Sequence, residues 1–360
     1  MEALVLNEQF VSVIPVDTYE SFIWVDRYNE YGDFELYAPI GVESLELLNN
    51  AKIDYYLWTE DSDHVMIIDE ITITSDIEAG NRLKISGRSL EWILNYRIVW
   101  TMTTLTGNFQ TAIQKLLNDA LINPTINTAR RKINNFIFKP STDPRITAMT
   151  IDMQVTGDNL YDTIRGMCRL KNVGFRVTLN NSNQFVFELY KGVDRSYAQT
   201  VNPYVVFSQG FDNIINSNYF ETNRIKRTVA LVAGEGEGPD RRTITVDKGG
   251  VGLKSRELYA DARDISSKTD DPNVDLTPQE YNAKLTERGN KKLSENVYIK
   301  SFEGDMETTQ MYRYKEHFWI GDDVQMTNEF GIEAGVRIDE IIFSNNQTGS
   351  NVVPTFTVIE

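Results

Sequence analysis

The sequence predicts a β-rich, multidomain α+β protein. Two related antiparallel β-barrel domains, an α+β domain and a helical insertion make it up. Three observations carry this expectation. Ile68-Asp69-Glu70-Ile71 recurs letter for letter at Ile338-Asp339-Glu340-Ile341, and at that 270-residue offset Ile73 falls on Phe343, Asn81 on Asn351 and Leu83 on Val353 with no gap. Agreement of apolar phase through a strand, a polar turn and a second strand argues for one module used twice. Both ends of the chain read with period two, whereas residues 100–190 change to a period near 3.6. Finally, one helix start signal, Thr277-Pro278-Gln279-Glu280, stands among strand-like runs.

The elements follow in order. Phe10 to Val16, Ser21 to Tyr28 and Asp33 to Pro39 are short β-branched and aromatic runs between turn formers. Phe34, Leu36 and Ala38 alternate with Asp33, Glu35 and Tyr37, the pattern of a sheet with one buried face. The loop at Asn29 to Gly32 predicts a hairpin with Gly32 at positive φ. Further strands are expected at Asp54 to Trp58, Val65 to Thr74 and Arg82 to Gly87, enough for a barrel or sandwich. Gly87 allows a sharp exit, and Ser89 caps a short helix, SLEWILNYR. These residues form the first barrel, 1–98.

In the α+β domain, 99–204, Phe109, Ala112, Ile113, Leu116, Leu117 and Ala120 share a helix face. A second helix from about Asp158 to Lys171 turns Cys168 inward as a core residue. A hairpin over Gly174 to Leu179 and Gln184 to Tyr190 follows. The second barrel is expected at 205–250 and 297–360, with strands at Val205 to Ser208, Ile214 to Glu221, Arg227 to Ala233 and Arg241 to Val246, and strand throughout from Val297. The helical insertion, 251–296, associates with the α+β domain.

Composition excludes several functions. The 360-residue chain carries 36 basic and 52 acidic residues, a net charge of −16, which argues against gripping nucleic acid by its phosphates but not against DNA sliding past. Cys168 is the only cysteine, so no intrachain disulfide or thiolate metal cluster forms, and folding inside a cell is expected. No apolar run reaches about 18 residues, so no membrane helix is expected. The start, MEALVLNEQF, lacks the basic region of a signal peptide.

Candidate chemistry is sparse. His64 and His317 are the only histidines; each flanks a strand and is expected to be partly exposed. There is no HExxH and no GxSxG. The run Gly234 to Gly238 lacks the Lys-Ser/Thr of a phosphate loop and precedes a strand, so it reads as a wide hairpin loop. Carboxylate pairs occur at Asp61/Asp63, Asp69/Glu70, Glu235/Glu237 and Asp322/Asp323. A glycosidase needs two across a cleft, yet an acidic chain offers such pairs everywhere. Asp270-Asp271 and Asp322-Asp323 could offer oxygens to calcium, without EF-hand spacing. No catalytic residue, cofactor or metal is expected. The alternative is a carbohydrate-binding or peptidoglycan-degrading protein using a carboxylate pair.

Trp24-Val25-Asp26-Arg27-Tyr28-Asn29-Glu30 leading into Tyr31-Gly32-Asp33-Phe34-Glu35-Leu36 resembles the N-terminal signature of the siphophage baseplate hub family, the tail-associated proteins that share the hub fold of contractile tails. Gly87-Arg88-Ser89-Leu90-Glu91-Trp92, Val229 to Gly238 with Arg241-Arg242, and Arg256 to Arg263 are similar to that family too. The resemblance implies a homotrimer with two barrels per chain, a pseudo-sixfold ring joining a sixfold tail tube to a threefold tip. The implied partners are the distal tail protein or tube ring, tail-tip or receptor-binding proteins, the tape measure protein, and DNA passing without specific binding. Folding is expected in the host cytoplasm and residence in the virion tail tip. Because the chain stops at Glu360, directly after the second barrel, wall-degrading activity is expected on another polypeptide. Asp69, Glu70, Asp339 and Glu340 are the candidates for the lumen wall or an interface.

Overall fold

The computed structural model describes residues 2–76, 80–214, 217–269, 271, 273–303, 311–346 and 349–359. Seven strands come first: β1 (Ala3–Leu6), β2 (Ser12–Val16), β3 (Ser21–Arg27), β4 (Asp33–Pro39), β5 (Tyr56–Thr59), β6 (Met66–Asp76) and β7 (Gly80–Ser89). Helix α1 (Val42–Asn50), unforeseen in the sequence, links β4 to β5. The middle of the chain holds β8 (Thr103–Asn108), α2 (Phe109–Leu117), α3 (Thr128–Arg131), β9 (Phe136–Lys139), α4 (Pro144–Thr147), β10 (Thr150–Val155), α5 (Leu160–Lys171), β11 (Gly174–Leu179) and β12 (Phe185–Tyr190). Then come β13 (Val206–Ser208), β14 (Asn218–Thr222), β15 (Val229–Ala233), β16 (Thr243–Asp247), β17 (Glu257–Asp261), α6 (Pro278–Ser294), β18 (Ile299–Glu303), β19 (Asp323–Thr327), β20 (Glu333–Asn346) and β21 (Gly349–Val358).

The duplicated motif occupies equivalent strands. In the first module the order is β3-β4-β7-β6-β5-β1-β2; in the second it is β14-β18-β21-β20-β19-β13. One row across the first module runs Val25, Asp33, Arg88, Ile67, Tyr56. The matching row of the second runs Phe220, Ser301, Thr357, Arg337, Asp323. A β-bulge falls at Asp69 in one copy and at Asp339 in the other, and such a bulge bends its strand at a fixed place. The gapless alignment needs one correction. Leu83 lies opposite Ile73, whereas Val352 lies opposite Phe343; beyond the turn the copies are therefore related by 269 residues, so the second connection is one residue shorter. Both turns lie outside the described residues.

The expectation of two barrels is not met: among the described residues no sheet closes on itself. Both modules instead form one open 13-stranded sheet, joined where β20 pairs antiparallel with β3. The distal half of β20, Glu340–Asn346, takes β3 as its partner, so the seam that would close the second module serves to join it to the first. A single core fills both, from Trp24, Phe34 and Ile68 to Phe207, Ile341 and Phe356.

A second core holds the α+β part, where α2 and α5 bury the faces read from sequence, Cys168 among them. Asn159 caps α5 by accepting from the Asp162 N–H, and Asn172, at φ 51°, ends it. The strands β15, β16 and β17 pair only among themselves and pack with α6 in a third core. Val229–Ala233 and Thr243–Asp247 thus leave the second barrel, to which the sequence reading had given them. They lie between β14 and β18, which pair as a hairpin around the whole insertion. The capping box of α6 forms as read, with Thr277 and Glu280 bonded reciprocally. Between β18 and β19 the described residues 311–322 contain turns where strand was expected.

Three local readings change. Gly32 does not adopt positive φ; it is required because a Cβ there would lie 2.2 Å from the Val25 carbonyl oxygen. Gly87 is not an exit but sits inside β7 opposite Ile68, where a Cβ would come within 1.8 Å of the Ile67 carbonyl oxygen. Residues Leu90–Tyr96 form a 3-10 helix that Ser89 does not cap with its side chain, because the hydroxyl accepts from the Gly32 N–H at 2.7 Å.

Candidate assembly surfaces

The signature from Trp24 to Gly32 forms a three-way joint. At the end of β3 the Tyr28 N–H donates to the Asp339 carbonyl of the second module, and the Tyr28 carbonyl accepts from Phe175 N–H in β11. Its buried ring lies where a Cβ on Gly174 or Gly321 would come within 2.4 Å, so both glycines make room for it. Arg337 stacks over the ring at 5.0 Å while pairing with Asp339. Arg27 reaches Glu340 across the module boundary at 2.6 Å. Glu30 pairs with Arg165 and Arg169 on α5. Tyr31, Trp92 and Tyr161 cluster, with ring centroids 4.7 Å apart for Tyr31–Trp92.

Beneath the joint is a buried polar chain that the sequence reading missed. Trp24 Nε1 and the Ser62 hydroxyl both donate to Asp26. His64, expected to be partly exposed, is 2 % exposed, with Nδ1 3.0 Å from Glu91 Oε1. Glu91 also accepts from the Val177 N–H of β11, so the chain ties the first module to the α+β part. Burial alone would lower the imidazole pKa; Glu91 and Asp26 override it and hold His64 up at about 9. Burial works to raise Glu91, but His64 prevails and keeps it below the usual carboxylate range. Asp26 is raised, mainly by burial. Nothing in residue spacing marks Asp26, His64 and Glu91 as neighbours; the only signal is an acid, Glu91, inside an apolar stretch.

The four candidate acids occupy paired positions. Asp69 and Asp339 are the bulge residues; Asp69 faces Arg88 at 3.4 Å and Asp339 faces Arg337. Burial raises Asp69 above its ordinary pKa, with Arg88 opposing. Glu340 bonds Arg27, whereas its counterpart Glu70 accepts from the nearby Thr72 hydroxyl. The remaining carboxylate pairs serve local structure. Asp63 binds Arg176 and Lys315, Glu235 accepts from Ser267 N–H, and Asp322 accepts from Val193 N–H, Trp319 N–H and Arg195. Burial pushes Asp323 up to about 6, against Arg337. Asp270 lies outside the described residues, and no cluster of metal-binding side chains occurs among those described. A cleft of about 980 Å³ is predominantly basic, lined by Lys171, Lys226, Arg227, Lys248, Lys254 and Arg256 beside Glu287.

The other residues of the signature act at a second joint. Arg241 donates to the carbonyls of Ala233 and Gly234 and pairs with Asp261, and the Tyr281 hydroxyl accepts from Glu235 N–H. A Cβ on Gly234 would sit 2.2 Å from that hydroxyl, so the glycine lets α6 close on the small sheet.

With these joints in place, the model of the siphovirus ReqiPepy6 Gp37-like protein family matches residues 2–356. The chain belongs to this siphovirus tail protein family. Its fold is that of phage tail proteins. The tail protein from Neisseria meningitidis MC58 is similar at a TM-score of 0.60 and 11 % identity, with 99 % of this chain and 95 % of that one covered. The 43 kDa tail protein of prophage MuSo2 from Shewanella oneidensis gives 0.57 and 12 %, covering 99 % and 98 %. Prophage tail protein gp18 from Listeria monocytogenes EGD-e gives 0.56 and 12 %, covering 99 % and 94 %. No curated protein sequence matches. The siphovirus tail protein has no described helix long and apolar enough to cross a membrane.

Proposed function

We propose that the chain is a hub subunit at the distal end of a long-tailed phage: three copies form a ring around the DNA exit channel. The observation that carries this reading is the duplication. Two modules of one strand order, side by side in one sheet, give three chains six equivalent units for a sixfold tube and a threefold face for the tip. Closed rings are the ordinary outcome when the same contact repeats around an axis. The acidic balance of −16 favours a channel that repels phosphate rather than retaining it, with Asp69, Glu70, Asp339 and Glu340 on the ring wall or at its interfaces. The hub would meet the distal tail protein or tube ring above and tip proteins below. Mass spectrometry of purified virions with light scattering of isolated tips tests this. Three copies per tip are expected; absence from virions, or a copy number that is not a multiple of three, would refute it.

A further inference from the structure

The basic cleft of about 980 Å³ stands where separate parts of the fold meet, and its volume is that of a ligand site. Leu170 and Lys171 bring the end of α5, and Glu287 and Leu293 belong to α6. Asn223 and Arg227, with Val297 and Tyr298, lie in the two connections that carry the insertion out of the β14–β18 hairpin. The remaining wall is the glycine-rich loop between β16 and β17, from Lys248 to Lys254. Many basic side chains elsewhere sit on carboxylates, as Arg27 does on Glu340, Arg176 on Asp63 and Glu188, and Arg288 on Asp264. In the cleft Lys171 has Glu287 at 3.3 Å, but among the described residues Lys226, Arg227, Lys248, Lys254 and Arg256 pair with no carboxylate. Cations gathered in one concavity repel one another unless an anion lies among them.

The walls choose the anion. Arg227 Nη1 donates to the Ile225 and Lys226 carbonyls, and Arg256 Nη1 donates to the Asn223 carbonyl, so neither guanidinium offers its whole fork to a phosphate. Lys226, Lys248 and Lys254 remain as separate point charges, with the Lys226 ammonium 5.6 Å over the Tyr298 ring. Beside them aliphatic groups stand in water: Leu253 is 100 % exposed and Val297 49 %. Carboxylates spaced by apolar side chains satisfy both features. A phosphodiester chain brings no aliphatic group to cover Leu253 and meets the repulsion of a chain of net charge −16.

We propose that this cleft docks an acidic segment of a different tail polypeptide, an extended peptide whose carboxylates meet Lys226, Lys248 and Lys254 and whose apolar side chains cover Leu253 and Val297. Because the occupant touches α5, α6 and both connections, it holds the insertion against the sheet. The site works whatever the copy number of the chain in the tail.

Fluorescence anisotropy of the purified chain with a short labelled peptide alternating glutamate and leucine tests the site. Binding is expected, and it should weaken as salt rises. Lys248→Glu with Lys254→Glu should weaken it at least about tenfold, because like charges then face each other; both lysines are exposed loop residues, and circular dichroism checks that the fold is kept. Failure of the acidic peptide to bind the wild type, equal binding of a peptide alternating glutamine and leucine, or binding unmoved by the double variant would overturn the site. A duplex oligonucleotide that binds as tightly as the acidic peptide would overturn the choice of carboxylate over phosphate. In assembled tails, Leu253→p-benzoylphenylalanine under irradiation should cross-link to an acidic segment of a different polypeptide, mapped by mass spectrometry. A cross-link to a second copy of this chain or to DNA, or none at all, would overturn the partner.

Discussion

Ile73 and Phe343 hold the same place in two copies of one bulged strand, yet one is 53 % exposed and the other 5 %. The backbone around them is alike: the bulge, the partner hairpin and the row of cross-strand neighbours all correspond. What differs is the strand alongside. In the second module β3 brings Trp24 and Phe22 against β20; in the first, the described chain brings no equivalent. Burial at this position is thus decided by the neighbouring module rather than by the strand itself, and a repeated unit can carry an interface in one copy and a core in the other.

Substitutions can break or sharpen that contrast. Phe343→Ala should cost about 3–5 kcal/mol in the isolated chain, the usual penalty for emptying an aromatic core site, while Ile73→Ala should stay within about 0.5 kcal/mol. Denaturant unfolding of the two variants tests this, and equal losses would erase the distinction. The buried pair comes next. Glu91→Gln strands the His64 imidazole in the core and should cost about 3 kcal/mol. The same pair gives a pH signature. His64 is raised from 6.5 to about 9, so its contribution is complete below about 6.5 and is lost as pH rises through about 9. Thermal unfolding of the wild type should weaken over that window, and His64→Gln should remove that part of the dependence. The smallest effect belongs to the bulge acids. Glu340→Gln loosens the half-buried bond to Arg27 and should cost about 0.5–1 kcal/mol, whereas Glu70→Gln should change isolated-chain stability by less than about 0.5 kcal/mol.

Much of this was legible in residues. The repeated Ile-Asp-Glu-Ile segments fall on equivalent strands, the capping box at Thr277 starts α6, and Cys168 points into the core. These features depend on local chemistry and periodicity. The shortened second turn was not legible, because Asn81 and Asn351 match by letter although their pairings place Asn81 with Ser350. Closure was misread for another reason: alternation reports which face of a strand is buried, not which strand lies beside it. The same limit misplaced Val229–Ala233, whose pattern suits any sheet. His64 was expected to be partly exposed because it flanks a strand, while Asp26 and Glu91 come near it only through the fold.

The most direct test of the central claim is a reconstruction of the tail tip at a resolution that traces strands. The account predicts six β-modules around the axis from three chains, with Ile73 covered. A tip in which residues 70–76 face solvent, or in which the modules do not alternate around a common axis, would contradict it.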